Sequence, residues 1–288
     1  MAGLRDIRQK IKGVSTTQQI TGAMKMMSTA RLGKAVEAIN LTQTYIAKLE
    51  QMVQNVKREL PDYYHPCFFQ REVKTSCYVV IGGERGLCGG FNHDLHKFAI
   101  NTIKESEAPA VKVIVVGKKA IRFFTQKKIE VSDAFPDLTF KNMDTEIFRL
   151  SSNLFKMFYA GEIDEINVIY TSFVSAVKRY LTVSRLIPVD TSGILPRDAK
   201  QAAMPFDFYP SPAAIFDQLV PRYLRNLLRR AITESSAAEQ SSRMTAMTSA
   251  TDRAEEIIDD LKLDLNRSRQ ALITREISEV IAGSQVQI

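Results

Sequence analysis

Apolar and small residues near the end of the chain recur at Met247, Thr251, Ala254, Ile258, Leu261, Leu265, Ser268 and Leu272, in steps alternating between four and three. That is the a/d spacing of a coiled-coil seam. No proline occurs from Arg222 to Ala282 and no glycine before Gly283, so the spacing predicts a helix about 90 Å long at about 1.5 Å per residue. The start of the chain carries a matching frame. Leu4, Ile7, Ile11 and Val14 open it, and it lands again on Leu32, Ala35, Ile39, Ile46, Leu49, Val53, Val56 and Leu60. Pro61 is the first proline, so a second helix of about 85 Å is expected. Two helices with one seam each bury it against one another, and a chain that leaves and returns at one end pairs them antiparallel.

Between Gln18 and Ser28 the first frame turns polar, at Gln18, Thr21, Lys25 and Ser28, while Ile20, Met24 and Met27 move to another face. A stutter in the coiled coil accounts for this, as does a section that faces a third surface besides its partner helix. The second seam also turns polar, near Asn266–Glu276, which suggests that the two breaks lie opposite one another. Gly13, Gly22 and Gly33 each weaken a helix by up to about 1 kcal/mol, which points to close approach of another backbone.

The middle of the chain has a different period. Thr75–Ile81 reads as a buried strand followed by the glycine-rich run Gly82–Asn92 and a helix from about His93 to Ser106. Strands at Val111–Val116, Glu165–Thr171 and Leu181–Val189 alternate with helices at Lys118–Gln126 and Thr145–Tyr159. Such alternation implies a largely parallel sheet. The expected fold is therefore α/β, a long antiparallel coiled coil of N- and C-terminal helices with an inserted Rossmann-like α/β domain. Its parts are a first helix over 1–60, the α/β domain over 61–206, and a second helical part over 207–288 in which Ile215–Leu219 begins the descent and Pro221 permits a break or a first turn. A domain of that size is roughly 35–40 Å across, so more than half of the helical pair would project from it. Ile277, Val280, Ile281, Val286 and Ile288 at the tip then need a covering partner.

Composition narrows the function. Lys and Arg number 39 against 32 Asp and Glu, and residues 1–60 hold ten of the basic groups with four acidic ones. A basic helix suits an anionic membrane or an acidic protein, or is simply a solvated face; with Tyr45 its one aromatic, nucleic acid is the poorest match. No run is apolar enough to span a membrane. Cys67, Cys77 and Cys88 form no C-x-x-C pair and fit a reducing cytoplasm, and the Met1–Lys10 start is read as helix, not as a targeting segment.

Chemistry is hard to find. The Gly82–Gly90 turn is neither G-x-G-x-x-G nor a P-loop, and no acidic residue follows the second strand where a ribose would need it, so a structural turn is expected and no cofactor. His93 and His96 lack a third ligand and read as surface histidines, leaving no metal site. Glu255-Glu256 and Asp259-Asp260 read as a solvated face. No catalytic set of nucleophile and base can be assembled.

Four segments carry a resemblance. Ile20-Thr-Gly-Ala-Met-Lys-Met-Met-Ser-Thr-Ala-Arg-Leu32, Arg85-Gly-Leu-Cys-Gly-Gly-Phe-Asn92, and the terminal runs Glu239–Thr251 and Asn266–Glu276 together closely resemble the gamma subunit family of F-type rotary ATP synthases. The resemblance covers essentially the whole chain. It implies a central shaft inside a hexamer of alpha and beta subunits, with the α/β domain at the foot beside epsilon on the membrane c-ring. It implies a non-catalytic rotor subunit that couples ion flow to ATP synthesis or hydrolysis on the beta subunits. The family's rotor contacts carry over to Met24 beside Arg243, Arg269, Gln270 and Thr274. Gly22 stands where a lysine is usual, Arg253 where asparagine is usual, and Gly83-Glu84 where Ser-Asp is usual. The chloroplast cysteine insertion is missing, which implies a bacterial protein peripheral to the cytoplasmic face of the inner membrane. The other classes compatible with the pattern are a coiled-coil scaffold and a Rossmann-type nucleotide-binding enzyme.

Overall fold

The structure is a computed structural model that describes residues 3–60, 63–136, 138, 142–189 and 208–285, with side chains to residue 281. Of the stretch from Leu195 to Pro212, which reads from its prolines as the return to the second helix, residues 195–207 lie outside the described residues, as do Val286 and Ile288. The chain divides into two compact units, residues 30–242 and residues 1–29 with 243–288. Helix α1, Leu4–Glu59, and helix α5, Pro212–Gln285, contribute to both.

The larger unit holds a five-stranded sheet: β1 (Thr75–Ile81), β2 (Ala110–Val116), β3 (Asp133–Phe135), β4 (Glu165–Phe173) and β5 (Arg179–Ile187), in the order β3-β2-β1-β4-β5. The first four are mutually parallel and β5 is antiparallel to β4. β1 is central and almost wholly buried, as its uninterrupted apolar run requires. β3 is missing from the sequence expectation, because three residues show no period.

Alternating side chains of the sheet feed two cores. Cys77, Val79 and Ile81 of β1 meet α4 (Met143–Tyr159), Ile46, Leu49, Val53 and Val56 of α1, and Phe216, Val220, Leu224 and Leu228 of α5. Tyr78 and Val80 meet α2 (Phe91–Lys104) and α3 (Lys118–Gln126) on the opposite face. The inner parts of both long helices thus share the sheet's own core. α5 begins at Pro212 and runs unbroken through Pro221. The helical hydrogen bond that Pro221 cannot donate costs a few kcal/mol. Burial of Phe216, Leu219, Val220, Tyr223 and Leu224 around it, at about 1.5–3 kcal/mol each, more than offsets that.

In the smaller unit the two helices run antiparallel. The Thr21 and Thr251 hydroxyls hydrogen-bond at 2.8 Å, while Leu4, Ile7 and Lys10 share a cavity with Leu261, Asp264, Arg267 and Ser268. Each step forward on α1 is therefore a step back on α5, which sets Met24 level with about Thr248. The expected juxtaposition of the α1 break with Asn266–Glu276 is wrong by about six turns. The two breaks do not meet: the partner of Gln18–Ser28 is the Arg243–Ala254 run, rich in small and hydroxylated residues. α5 overhangs the start of α1, and every side chain from Arg269 to Ile281 is exposed.

The stutter is also ruled out. Thr21 and Ser28 are buried and Gln18 and Lys25 are half-buried, so the heptad frame continues through its polar positions. Ile20 and Met27, at 56% and 49% exposure, stay outside it, with Met24 half-buried beside them. Among the described residues, none beyond the helix's own neighbouring turns comes within 4 Å of where a Cβ would sit on Gly13, Gly22 or Gly33, so the expected close approach of a backbone is not found there.

Two outcomes test this geometry. Thr21→Cys with Thr251→Cys should form a disulfide under mild oxidation, whereas Met24→Cys with Gln270→Cys should stay reduced; the reverse result on a non-reducing gel would overturn the register. Gly13→Ala and Gly33→Ala should each raise the stability of the free chain by about 0.5–1 kcal/mol in denaturant titrations, because the backbone is helical and the space is open.

Candidate functional site

Carboxyl ends of parallel strands are where an α/β sheet binds ligands, in the crevice where neighbouring crossovers part to opposite faces. Here that crevice lies between β1 and β4, and the turn after β1 would supply its N–H donors. The chain fills it with its own helix. α5 presents Glu234, Ser235, Glu239 and Ser241, all 6% exposed or less, toward the ends of the strands.

Each group has a partner. The Ser235 hydroxyl donates to the Ile81 carbonyl at 3.1 Å, the last residue of β1. Ser172 near the end of β4 donates to Glu234 at 2.7 Å, and Arg230 donates to the other oxygen of the same carboxyl. Ser241 donates to the Ala176 carbonyl in the β4–β5 hairpin. Burial, together with the nearby Glu234 carboxyl, raises the Tyr170 hydroxyl above its usual range.

The glycine turn is shaped around the same helix. The Glu84 N–H donates to Glu239 Oε2 at 3.2 Å, and the Gly83 N–H donates to Asn92 Oδ1 at 3.2 Å. A Cβ on Gly83 would sit 2.6 Å from Asn92 Oδ1 and 3.3 Å from the Glu239 carboxyl, so a larger residue there requires the Asn92 side chain to shift and the carboxyl to give by a few tenths of an ångström. The Glu84 side chain turns away and accepts from the Leu138 N–H at 3.2 Å. What remains among Gly82, Glu84, Ser235 and Glu239 is a cavity of about 30 Å³, room for about one water molecule. Donors that would cradle a phosphate are thus engaged by an acidic side chain and an amide of the same chain.

A second cleft of about 430 Å³ lies between the first turn of α2 and the β4–β5 edge, lined by Phe91, Asp94, Thr171, Arg179 and Tyr180. It brings a carboxyl and a guanidinium together but no nucleophile with a base. Among the described residues no three His, Cys, Asp or Glu side chains are placed to hold a metal. His93 is exposed, but the reading of His96 as a surface residue is wrong. His96 is buried and stacked on Phe123 at 4.4 Å, and burial pulls its pKa down to about 4, so it packs as a neutral ring. Cys77 is core as expected, and burial raises Cys67 to about 11 and Cys77 to about 12, which keeps both as thiols. Glu255, Glu256, Asp259 and Asp260 are all exposed.

The five residues singled out in the sequence are not brought together. Met24 is half-buried on α1 at the level of Thr248. Arg243, carried over as a rotor contact, is 4% exposed within this chain. Arg269, Gln270 and Thr274 are exposed on the α5 overhang, distant in register from Met24. Glu234, Ser235, Glu239 and Ser241 are what sequence reasoning missed. Their signal is Thr233–Arg243 itself, a helical run of eleven residues without one large apolar side chain, which a buried helix uses only where backbones approach closely.

Comparison with known proteins agrees with this architecture. The ATP synthase protein-family pattern matches residues 3–286. The ATP synthase gamma chain of Moorella thermoacetica is 38% identical over 284 residues, covering 99% of both chains. That of Chlorobaculum tepidum is 38% identical over 291 residues, covering 99% of this chain and 98% of its own. Among solved structures, the fold is shared with a chain of the Euglena gracilis mitochondrial ATP synthase, in an OSCP/F1/c-ring assembly (TM-score 0.65, 16% identity, 99% of this chain and 94% of that one), and with one from the central stalk/c-ring of the Tetrahymena thermophila enzyme (TM-score 0.60, 18% identity, 80% and 99%). A relative of this identity along the full length, on the same fold, is decisive: the chain belongs to the ATP synthase gamma-chain family.

Proposed function

We propose that the chain is the rotor shaft of its complex, a non-catalytic subunit that couples ion flow through a membrane sector to ATP synthesis or hydrolysis on surrounding beta subunits. The observation that carries this is the α5 overhang. Arg269 to Ile281 are exposed, with Ala271, Leu272 and Arg275 lining the cavity shared with Gly3, Leu4 and Ile7, and Leu272, Ile273, Ile277, Val280 and Ile281 are between 42% and 72% exposed. An apolar strip of that length needs a sleeve, and a ring of alpha and beta subunits supplies one. Ile20, Met24 and Met27 form a second outward stripe on α1, beside a seam whose own contacts are polar.

In this reading the parts are the helix over 1–60, the α/β domain over 61–206 with epsilon and the c-ring as neighbours, and the helical part over 207–288. Among the described residues no helix is long and apolar enough to cross a membrane, which supports a peripheral place, on the cytoplasmic side of a bacterial inner membrane. Met24, Arg269, Gln270 and Thr274 are the contacts with the hexamer, and Arg243 acts from within the chain.

Arg269 and Gln270 test the proposal. Their donors face outward, and a hydrogen bond to a charged group is worth about 1.5–3 kcal/mol, enough to shift the balance of beta conformations tenfold or more. Replacing both by alanine, a strong helix former, should leave the helices folded and the complex assembled with alpha and beta. ATP turnover or ATP-driven ion pumping in inverted vesicles should fall about tenfold. An assembled double variant with wild-type rates in both assays would remove these residues from the transmission path.

A further inference from the structure

The geometry points to Glu239 as an internal ligand of the glycine turn: a tethered acidic group, seated where an α/β sheet of this topology takes an external anion, that fixes the setting of α5 on the sheet. The part that this fixing plays in coupling rests on the rotor reading above.

Three observations converge on it. Glu239 is 6% exposed, in the stretch of helix from Thr233 to Arg243 that carries no large apolar side chain, so its burial is not incidental to packing. Its carboxyl reaches the turn's backbone, accepting from the Glu84 N–H, and lies against Gly83, 3.3 Å from where a Cβ would sit. The turn is in turn held to the sheet by the Gly82 N–H on the Val116 carbonyl at 2.9 Å, the Lys119 N–H on the Gly83 carbonyl at 3.1 Å, and Asn92 on both Gly83 and Arg85. Glu239 therefore grips a loop that is itself anchored to β2, α3 and α2.

Apolar contacts between α5 and the sheet resist separation but discriminate poorly between rotations of the helix about its axis, because they are non-directional. A hydrogen bond at the end of a side chain does discriminate, since a rotation of a few tens of degrees breaks it. Ser235, one turn earlier, and Glu239 point at the same end of β1 and together define that rotation. Under load along the rotor, Glu239 is the positioning residue that keeps α5 from turning on the α/β domain.

The first test uses the full-length chain. Glu239→Ala should lower Tm by several degrees, and acetate or formate should restore at least half of that loss compared with chloride at equal ionic strength, with no such gain for the wild type. A loss that these small carboxylates do not repair more than chloride does would overturn the internal-ligand assignment. The second uses the complex reconstituted in vesicles, with Glu239→Gln, which keeps the side chain's size. It should leave ATP hydrolysis per assembled complex within twofold while ions pumped per ATP fall at least threefold. If yield falls but the pumping-to-hydrolysis ratio stays at the wild-type value, Glu239 is merely structural and the positioning role is lost. A wild-type chain that supports no pumping would instead overturn the rotor reading, and the anion rescue would still decide the ligand assignment.

Discussion

Buried polar side chains need partners, and that requirement shapes the α/β unit more than its apolar core does. A hydroxyl or carboxyl left unpaired in the interior costs roughly 1–3 kcal/mol or more, so Glu234, Ser235, Glu239 and Ser241 of α5 dictate what must stand opposite them. β1 has to end where its Ile81 carbonyl meets Ser235, β4 has to carry Ser172 up to Glu234, and the turn after β1 has to expose an N–H to Glu239. Gly83 is the residue that lets the turn come that close. A sheet whose topology would otherwise open a crevice between β1 and β4 closes it instead around a helix, leaving space for about one water.

The smaller unit applies the same rule to a coiled coil. Its seam is apolar at Ile7, Met247, Ala254 and Ile258 and polar at Thr21, Thr251 and Ser28, yet the frame never shifts. Thr21 and Thr251 answer one another across the seam, and Thr251 also donates back to the Met247 carbonyl. Because the polar residues keep the inner positions, Ile20 and Met27 are left on the outside rather than drawn into the seam. Sequence alone allowed either arrangement, and the difference decides whether those side chains serve the hairpin or something beyond it.

Much of this was legible because it is periodic. The a/d frames of both helices, the buried β1 run and the alternation of strands with helices follow from side-chain repeats alone, and the structure keeps them nearly to the residue, from Leu4 to Glu59 on α1 and from Thr75 to Ile81 on β1. Register between the helices is another kind of information. The heptad frame repeats, so several offsets bury equal apolar area, and the true one depends on the Thr21–Thr251 contact and on how far α5 runs past the start of α1. β3 is too short to show a period, and Pro221 masks the start of α5 because local propensity stops a helix that burial then carries through. Glu239 was visible only as part of a resemblance. Nothing in a single sequence says that a carboxyl on one long helix meets a backbone N–H 155 residues earlier.

Both units therefore place polar side chains at positions where leucine or isoleucine would bury more area and hold more tightly. An all-apolar seam can slide by a heptad or turn by part of a step at little cost, since one hydrophobic contact replaces another. A hydroxyl paired with a hydroxyl, or a carboxyl with one N–H, has no equivalent at the next offset, and the displaced groups are left buried without partners. The penalty for slipping then becomes several kcal/mol per pair, while the net gain from each correct pair is about 1 kcal/mol. Such contacts contribute little to whether the chain folds and much to which single arrangement it folds into. For α5, that uniqueness fixes the register at which its exposed residues Arg269–Ile281 are presented.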